Sequence, residues 1–300
     1  MRGNWLLALV ILIVSLTIFS GCKKNIRQIS SPVVPGNDSF PGNDSIPGND
    51  SIPGNDTVPL PAPPKYNQVP VHYAVNNNVG GFYKALPPAY DSSDKKYPLL
   101  LFFHGGGELG DGNSQLPLIL KNSLTKRLAE KSFPVSFTVD GEEFSFIILS
   151  PQFKAWPRVN DVRDLLKYAR ANYRIDTTRM YLSGLSMGGG ITWEYAGSAH
   201  GKSIAAIVPI CGASWADSAV AKKIASNGVP GWAFHNIDDG SVTVNSTKRY
   251  VSMVNAEHPV HPIRMTLWPS GGHDAWTQAS NPEYREDGKN MYEWMLQFKR

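Results

Sequence analysis

The chain has 300 residues, 42% hydrophobic and 18% charged, a composition that excludes a disordered or fibrous protein. Its formal net charge of +4 is interspersed, with no Lys/Arg block beside stacking aromatics, so nothing points to nucleic-acid binding. Two cysteines, Cys22 and Cys211, cannot build a disulfide framework.

Residues 1–21 carry one early charge, Arg2, then an almost wholly apolar run from Trp5 to Phe19, then Ser20 and Gly21. This is the layout of a secretory signal peptide. The run is short for a spanning helix, which needs ~20 residues. Ser20-Gly21-Cys22 resembles a bacterial lipobox, with Phe19 where Leu is usual. That resemblance implies cleavage before Cys22, lipid attachment at its thiol, and a membrane-anchored protein of the bacterial cell envelope, in the outer membrane or facing the periplasm. In the segment 22–65, Pro-Gly-Asn-Asp recurs at Pro35, Pro41, Pro47 and Pro53, and a Pro-rich tract follows. Four hexads with one apolar residue each bury too little for a β-helix, and no bidentate Glu completes a Ca²⁺ array. The segment reads as a semi-extended spacer which, at ~3.1 Å per residue, holds the domain on the order of 100 Å from the membrane.

From residue 66 to 300 the pattern is that of one globular domain. Residues 69–75 and 81–86 read as short strands around the Asn-rich turn 76–80. Residues 97–103 form a continuous apolar run, as in a strand buried on both faces. Helical spacing covers 116–131, and 144–149 reads as an apolar strand. Val162, Leu165, Leu166, Tyr168 and Ala169 mark the inner face of a helix over 160–173. A strand at 180–183 leads into a helix at 188–199. Strands at 204–210 and 231–235, a helix at 247–255, a strand at 263–269 and a helix at 290–298 follow. This alternation predicts an α/β fold with a mostly parallel sheet and helices on both faces. The connection between residues 210 and 232 leaves no room for a large lid domain.

Gly184-Leu185-Ser186-Met187-Gly188 matches Gly-x-Ser-x-Gly. In such an elbow the Ser sits on a tight, strained strand-to-helix turn, and the flanking glycines let strand and helix approach without a Cβ clash. Ser186 is the candidate nucleophile, and the Met187 N–H, at the helix N-terminus, a candidate donor to an oxyanion. Directly after the 97–103 strand comes His104-Gly105-Gly106-Gly107-Glu108, a glycine loop of the kind that supplies a second donor. A phosphate cradle is the rival reading, but no Gly-Lys-Ser/Thr ending follows. Gly106 is the candidate donor, Gly105 the alternative, and His104 reads as a structural hydrogen-bonder.

In hydrolases with this elbow the acid and then the base follow the Ser in chain order. The loop after the 231–235 strand offers two carboxylates, Asp238 and Asp239. The loop after the 263–269 strand offers His273 behind Gly271 and Gly272, which makes it the candidate base. His72 and His104 precede Ser186; His200, His258 and His261 lie in polar or Pro-rich surroundings; His235 ends its strand. His235, Asp238 and Asp239 could ligate a metal, but no His at helical spacing and no paired Cys completes a set, so no metal is expected.

With these loops placed, the chain from about residue 81 resembles the compact bacterial esterases of the α/β-hydrolase superfamily often labelled predicted peptidases. These are related to carbohydrate esterase family 1 feruloyl esterases and to polyhydroxybutyrate depolymerase-like and dienelactone hydrolase-like proteins. The resemblance is carried by Tyr97-Pro-Leu-Leu-Leu-Phe-Phe-His-Gly-Gly-Gly-Glu, Gly184-Leu-Ser-Met-Gly-Gly, Ile207-Val-Pro-Ile-Cys-Gly, Phe234-His-Asn-Ile-Asp-Asp and Gly272-His-Asp-Ala-Trp. In that group the acid stands four residues after the strand-end His, which implies Asp239. The group's His-Gly-Ala-Gly-Glu has Gly106 at its Ala position here. The resemblance implies a serine carboxylic ester hydrolase with the triad Ser186, Asp239 and His273, oxyanion donors Met187 and Gly106, and no cofactor. A tethered, lid-poor site points further to acetyl or feruloyl esters of polysaccharide, or related small esters. The alternatives are a serine peptidase with the same triad, and a non-catalytic surface lipoprotein that binds glycans through Trp156, Trp215 and Trp276.

Overall fold

The computed structural model describes residues 64–300. The signal segment 1–21, Cys22 and nearly all of the 22–65 spacer lie outside the described residues.

The described chain begins with an antiparallel pair, β1 (Asn67–Val71) and β2 (Val79–Leu86). The turn between them is pinned by Asn76, whose Oδ1 accepts from the Asn78 and Val79 amides at 3.0 and 2.9 Å. Strand β3 (Tyr97–Phe103) is buried along its whole length, which accounts for its unbroken apolar sequence. A single helix is expected over 116–131; the structure instead has a 3-10 segment, Leu116–Lys121, and then α1 (Ser123–Ala129). Extended backbone at Asn122 and a positive φ of 55° at Ser123 make the break, and the Asn122 side-chain Nδ2 donates to the Glu108 carboxylate. A hairpin that the periodicity does not reveal follows: β4 (Phe137–Val139) and β5 (Glu142–Phe144), joined through Asp140 and Gly141, both at positive φ.

Strand β6 (Ile147–Phe153) starts later and runs further than the 144–149 reading, through Ser150, Pro151 and Gln152, because both its faces are covered. Then come α2 (Val159–Asn172), β7 (Ile175–Leu185), α3 (Met187–Ala196) and β8 (Ala206–Ile210). The next connection contains α4 (Ser218–Asn227), absent from the sequence reading. Asp217 caps it, accepting from the Ala219 and Val220 amides, and Gly228 stops it at φ 62°. The chain closes with β9 (Trp232–Asn236), α5 (Val244–Ala256), β10 (Arg264–Trp268), α6 (Trp276–Ala279) and α7 (Met291–Leu296).

Eight strands form one sheet in the order β1-β2-β6-β3-β7-β8-β9-β10. The β1–β2 and β2–β6 pairs are antiparallel; every pair from β6 to β10 is parallel. Strand β3 divides its side chains between two cores: Leu99, Leu101 and Phe103 pack with α2 and α3 residues, Leu100 and Phe102 with Tyr181, Trp232 and Tyr292. The parallel strands all point one way, so the loops after β3, β7, β9 and β10 emerge at a common sheet edge, where α/β sheets form their sites. Among the described residues no helix is long and apolar enough to cross a membrane.

Tyr292 ties α7 and the β4–β5 hairpin to the sheet. Its ring lies 5.0 Å from Phe133, 5.1 Å from Phe137 and 6.4 Å from Phe146, and its hydroxyl donates to the Ser280 carbonyl at 3.0 Å. Tyr292→Ala empties a fully buried aromatic position and is expected to cost roughly 3–5 kcal/mol of unfolding free energy. Denaturant titration measures this; a loss below about 1 kcal/mol would contradict the packing described.

Candidate active site

Ser186 links β7 to α3 in a conformation that L-residues rarely adopt, φ 52° and ψ −116°. Its amide donates to the Ile210 carbonyl at 2.9 Å, and its own carbonyl accepts from Gly190 and Ala213 at 2.9 and 2.8 Å. The two glycines of the motif are needed for space. A Cβ on Gly184 would lie 2.6 Å from the Gly188 carbonyl, and one on Gly188 only 2.2 Å from the Phe103 carbonyl oxygen. Strand, elbow and helix are thus packed backbone on backbone.

The loops after β9 and β10 bring a carboxylate and an imidazole to the elbow. His273 Nε2 lies 2.9 Å from Ser186 Oγ, and its Nδ1 lies 2.7 Å from Asp239 Oδ2. A carboxylate can only accept, so the Nδ1–H donates to Asp239 and the Nε2 lone pair faces the Ser186 hydroxyl. Asp239 is buried and takes three more bonds. Oδ1 accepts from the Ser241 and Val242 amides at 2.8 and 2.9 Å, and Oδ2 also accepts from His235 Nε2 at 3.1 Å. Burial works to raise its pKa; the His273 bond and the two amides outweigh this and hold it below the ordinary aspartate value. His235 is fully buried, accepts from the Thr247 hydroxyl at 2.8 Å, and is kept neutral, chiefly by desolvation.

Asp238, the competing carboxylate, faces the other way. It accepts from the Gly272 and Gly271 amides at 2.8 and 3.2 Å, while the Asn236 side chain donates to the Gly272 carbonyl at 3.0 Å. Both glycines have positive φ, 135° and 58°. Asp238 is exposed to solvent, as suits a loop carboxylate not paired with His273, and it also clamps the loop that carries His273. The ring of Trp276 stands edge-on to that imidazole at 5.2 Å and 88°.

The glycine loop after β3 is held by buried polar groups. The Gly105 amide donates to Glu108 Oε2 at 2.7 Å, so the alternative donor is already engaged. The Gly106 and Met187 amides donate to no acceptor among the described residues. His104 accepts from the Phe153 amide at 2.9 Å through Nε2 and meets the Gly105 carbonyl at 2.7 Å through Nδ1–H. Burial lowers its pKa to about 4, so it is a neutral structural bridge. Gln152, buried on β6, donates to the Glu108 and Gln115 carbonyls and accepts from the Gly112 amide. Glu108 and Gln152 escape the sequence reading because their partners are amides and carbonyls that no local motif marks.

A cavity of about 600 Å³ opens beside Asp239, lined among others by Trp156, Glu194, Ala213, Trp215 and Ser246. Trp156 and Trp215 are exposed, 53% and 81%. Glu194, on α3, is a group that helical spacing alone does not single out. It accepts from Ser214 Oγ at 2.9 Å; Ser214 Oγ also lies 2.9 Å from the Tyr250 hydroxyl, which donates to the Trp215 carbonyl at 3.0 Å.

Among the described residues, one group of His, Cys and carboxylate atoms is close enough to surround an ion: Cys211, Asp239 and His273, within 4.8 Å of one another. These donors do not suit a metal. Burial pushes the Cys211 thiol up, which keeps it protonated, and four hydrogen bonds already occupy the Asp239 carboxylate. The metal set weighed from sequence is split, since His235 and Asp238 face different partners.

No protein-family profile and no curated protein matches the sequence. Solved structures do share its fold. A thermostable esterase is 22% identical with a TM-score of 0.53, the match covering 79% of this chain and 64% of that one. The feruloyl esterase module from Clostridium thermocellum, complexed with sinapinate, is 18% identical with a TM-score of 0.54, covering 71% and 84%. A ferulic acid esterase is 16% identical with a TM-score of 0.50, covering 70% and 92%. The chain thus spans less than two thirds of the first of these proteins. At such identities the likeness establishes the fold, and the domain has the α/β-hydrolase fold.

Burial raises the Glu194 pKa above the ordinary glutamate value, with the Ser214 bond opposing it. The folded chain therefore holds this proton more tightly than the unfolded chain. Its contribution to stability is complete below the ordinary value and is lost as pH rises through the folded one. Glu194→Gln cannot titrate. The melting temperature of wild type relative to this variant is expected to fall as pH rises above about 4, the ordinary glutamate value. A constant difference there would mean that Glu194 titrates normally.

Proposed function

We propose that this protein is a serine carboxylic ester hydrolase, exported and anchored to the bacterial envelope by a lipid on Cys22. The observation that carries the catalytic reading is the unbroken relay from Asp239 through His273 to Ser186, at 2.7 and 2.9 Å. In this reading Ser186 Oγ attacks the ester carbonyl carbon while its proton passes to His273 Nε2. Asp239 holds the required tautomer and stabilises the imidazolium that forms. The Gly106 and Met187 amides hold the oxyanion of the tetrahedral intermediate. His273 then gives its proton to the departing alcohol oxygen, and the acyl group remains on Ser186. Water attacks this acyl-enzyme, again losing its proton to His273, and the acid is released as Oγ regains a proton. Every group needed comes from the chain, so the step calls for no cofactor.

The substrate proposed is an acetyl or feruloyl ester of a polysaccharide, or a related small ester. Support comes from the open cavity beside the relay, with exposed Trp156 and Trp215 at its rim. The esterase names of the structural neighbours agree with this reading.

Turnover of p-nitrophenyl acetate tests the chemistry. Ser186→Ala is expected to lose up to ~10⁶ in kcat, and Asp239→Asn roughly 10⁴ through the wrong imidazole tautomer. Asp238→Asn should cost far less, since it touches only loop amides. Comparable loss in both aspartate variants would overturn the assignment of the acid, and an active Ser186→Ala enzyme would overturn the mechanism. A matched peptide amide should be cleaved much more slowly than its ester. For the anchor, cells fed a radioactive fatty acid should label the wild-type chain but not Cys22→Ser; an unlabelled wild type would remove the anchor from the proposal.

A further inference from the structure

A second cavity of about 610 Å³ adjoins the first, and Trp156 lines both. This volume lies in the range of small-molecule sites, roughly 300–1,000 Å³. Besides Trp156 its lining includes Asn77, Lys154, Arg158, Asp161 and Asp164.

The charges of this cavity are unequally committed. Asp161 accepts from the side chains of Asn76 and Asn78 at 3.1 and 3.0 Å and from the Arg158 backbone amide at 2.8 Å. Asp164 accepts from Asn76 at 3.1 Å and pairs with Arg163 at 3.0 Å. The two carboxylates are thus occupied in fastening the 76–78 turn to the start of α2. Neither Lys154 nor Arg158 has a carboxylate within ion-pair distance among the described residues, and neither side chain makes a hydrogen bond there. What remains for a ligand is two cations and an indole face.

We propose that this second cavity is a subsite for an acidic sugar, a uronate-bearing unit of the same polysaccharide whose ester is cleaved beside Asp239. The proposal deepens the esterase reading and rests on it for the identity of the chain bound. Lys154 and Arg158 donate to the uronate carboxylate, Arg158 with a planar fork that matches two oxygens. The negative face of Trp156 takes the weakly positive C–H face of a pyranose ring between the two cavities. One chain lying across Trp156 therefore reaches both the carboxylate-binding pair and the relay.

The test compares acetylated xylo-oligosaccharides with and without a 4-O-methylglucuronate branch. Wild type is expected to show a KM at least roughly 10-fold lower for the acidic substrate, the effect of one hydrogen bond to a charged group. The preference should shrink as salt is raised. In Lys154→Ala/Arg158→Ala, whose melting temperature reports on folding, the two KM values should converge while kcat is kept. Equal KM values in wild type, or a preference that survives in the double variant, would overturn the subsite. Calorimetry on Ser186→Ala with the unacetylated acidic and neutral oligosaccharides separates the two readings. If wild type fails to hydrolyse p-nitrophenyl acetate, the esterase reading falls. Binding of the acidic oligosaccharide then still upholds the subsite, and equal or absent binding of the two still removes it.

Discussion

A carboxylate buried between two imidazoles and two backbone amides governs the geometry at the sheet edge. Asp239 is costly to bury, and it stays ionised because four donors converge on its two oxygens. Those donors also fix its direction. The Ser241 and Val242 amides hold one oxygen and His235 steadies the other, leaving Oδ2 aimed at His273 Nδ1. That single bond decides which nitrogen of His273 carries hydrogen, and hence that a lone pair faces Ser186. Removing any of the four donors would leave charge poorly solvated and loosen this aim.

The same logic is spread over the scaffold. Four loops from parallel strands meet at one edge, and three of them are fastened by a buried polar group from another part of the chain. Gln152 on β6 holds the glycine loop, and Glu108 takes the amide of Gly105. Asp238 and Asn236 hold the glycines ahead of His273, and the Ile210 carbonyl holds the strained amide of Ser186. Sites built this way have their supporting shell locked by packing and hydrogen bonds before a ligand arrives.

Much of this was legible in the sequence, because the relevant signals are local. The Gly-x-Ser-x-Gly elbow, the glycine loop after an apolar strand, and the His after Gly271-Gly272 each sit at a strand end that periodicity locates. The choice of Asp239 over Asp238 needed a resemblance, since two adjacent aspartates on one loop are indistinguishable until their directions are known. Helix α4 and the β4–β5 hairpin were missed although Asp217, Gly228 and Asp140-Gly141 mark their ends; short apolar periodicity hid what lay between. The break at Asn122 and the network around Glu194 depend on partners 14 to 36 residues away, and no periodicity encodes those.

Gly271 and Gly272 carry a thermodynamic consequence. Glycine has the most conformational freedom to lose, so fixing two in succession at positive φ is among the dearest local orderings a backbone can undergo. Here it is completed when the chain folds, through the Asp238 carboxylate and the Asn236 amide. The imidazole therefore needs no loop closure in each catalytic cycle, and none of a substrate's binding energy is diverted to aiming it.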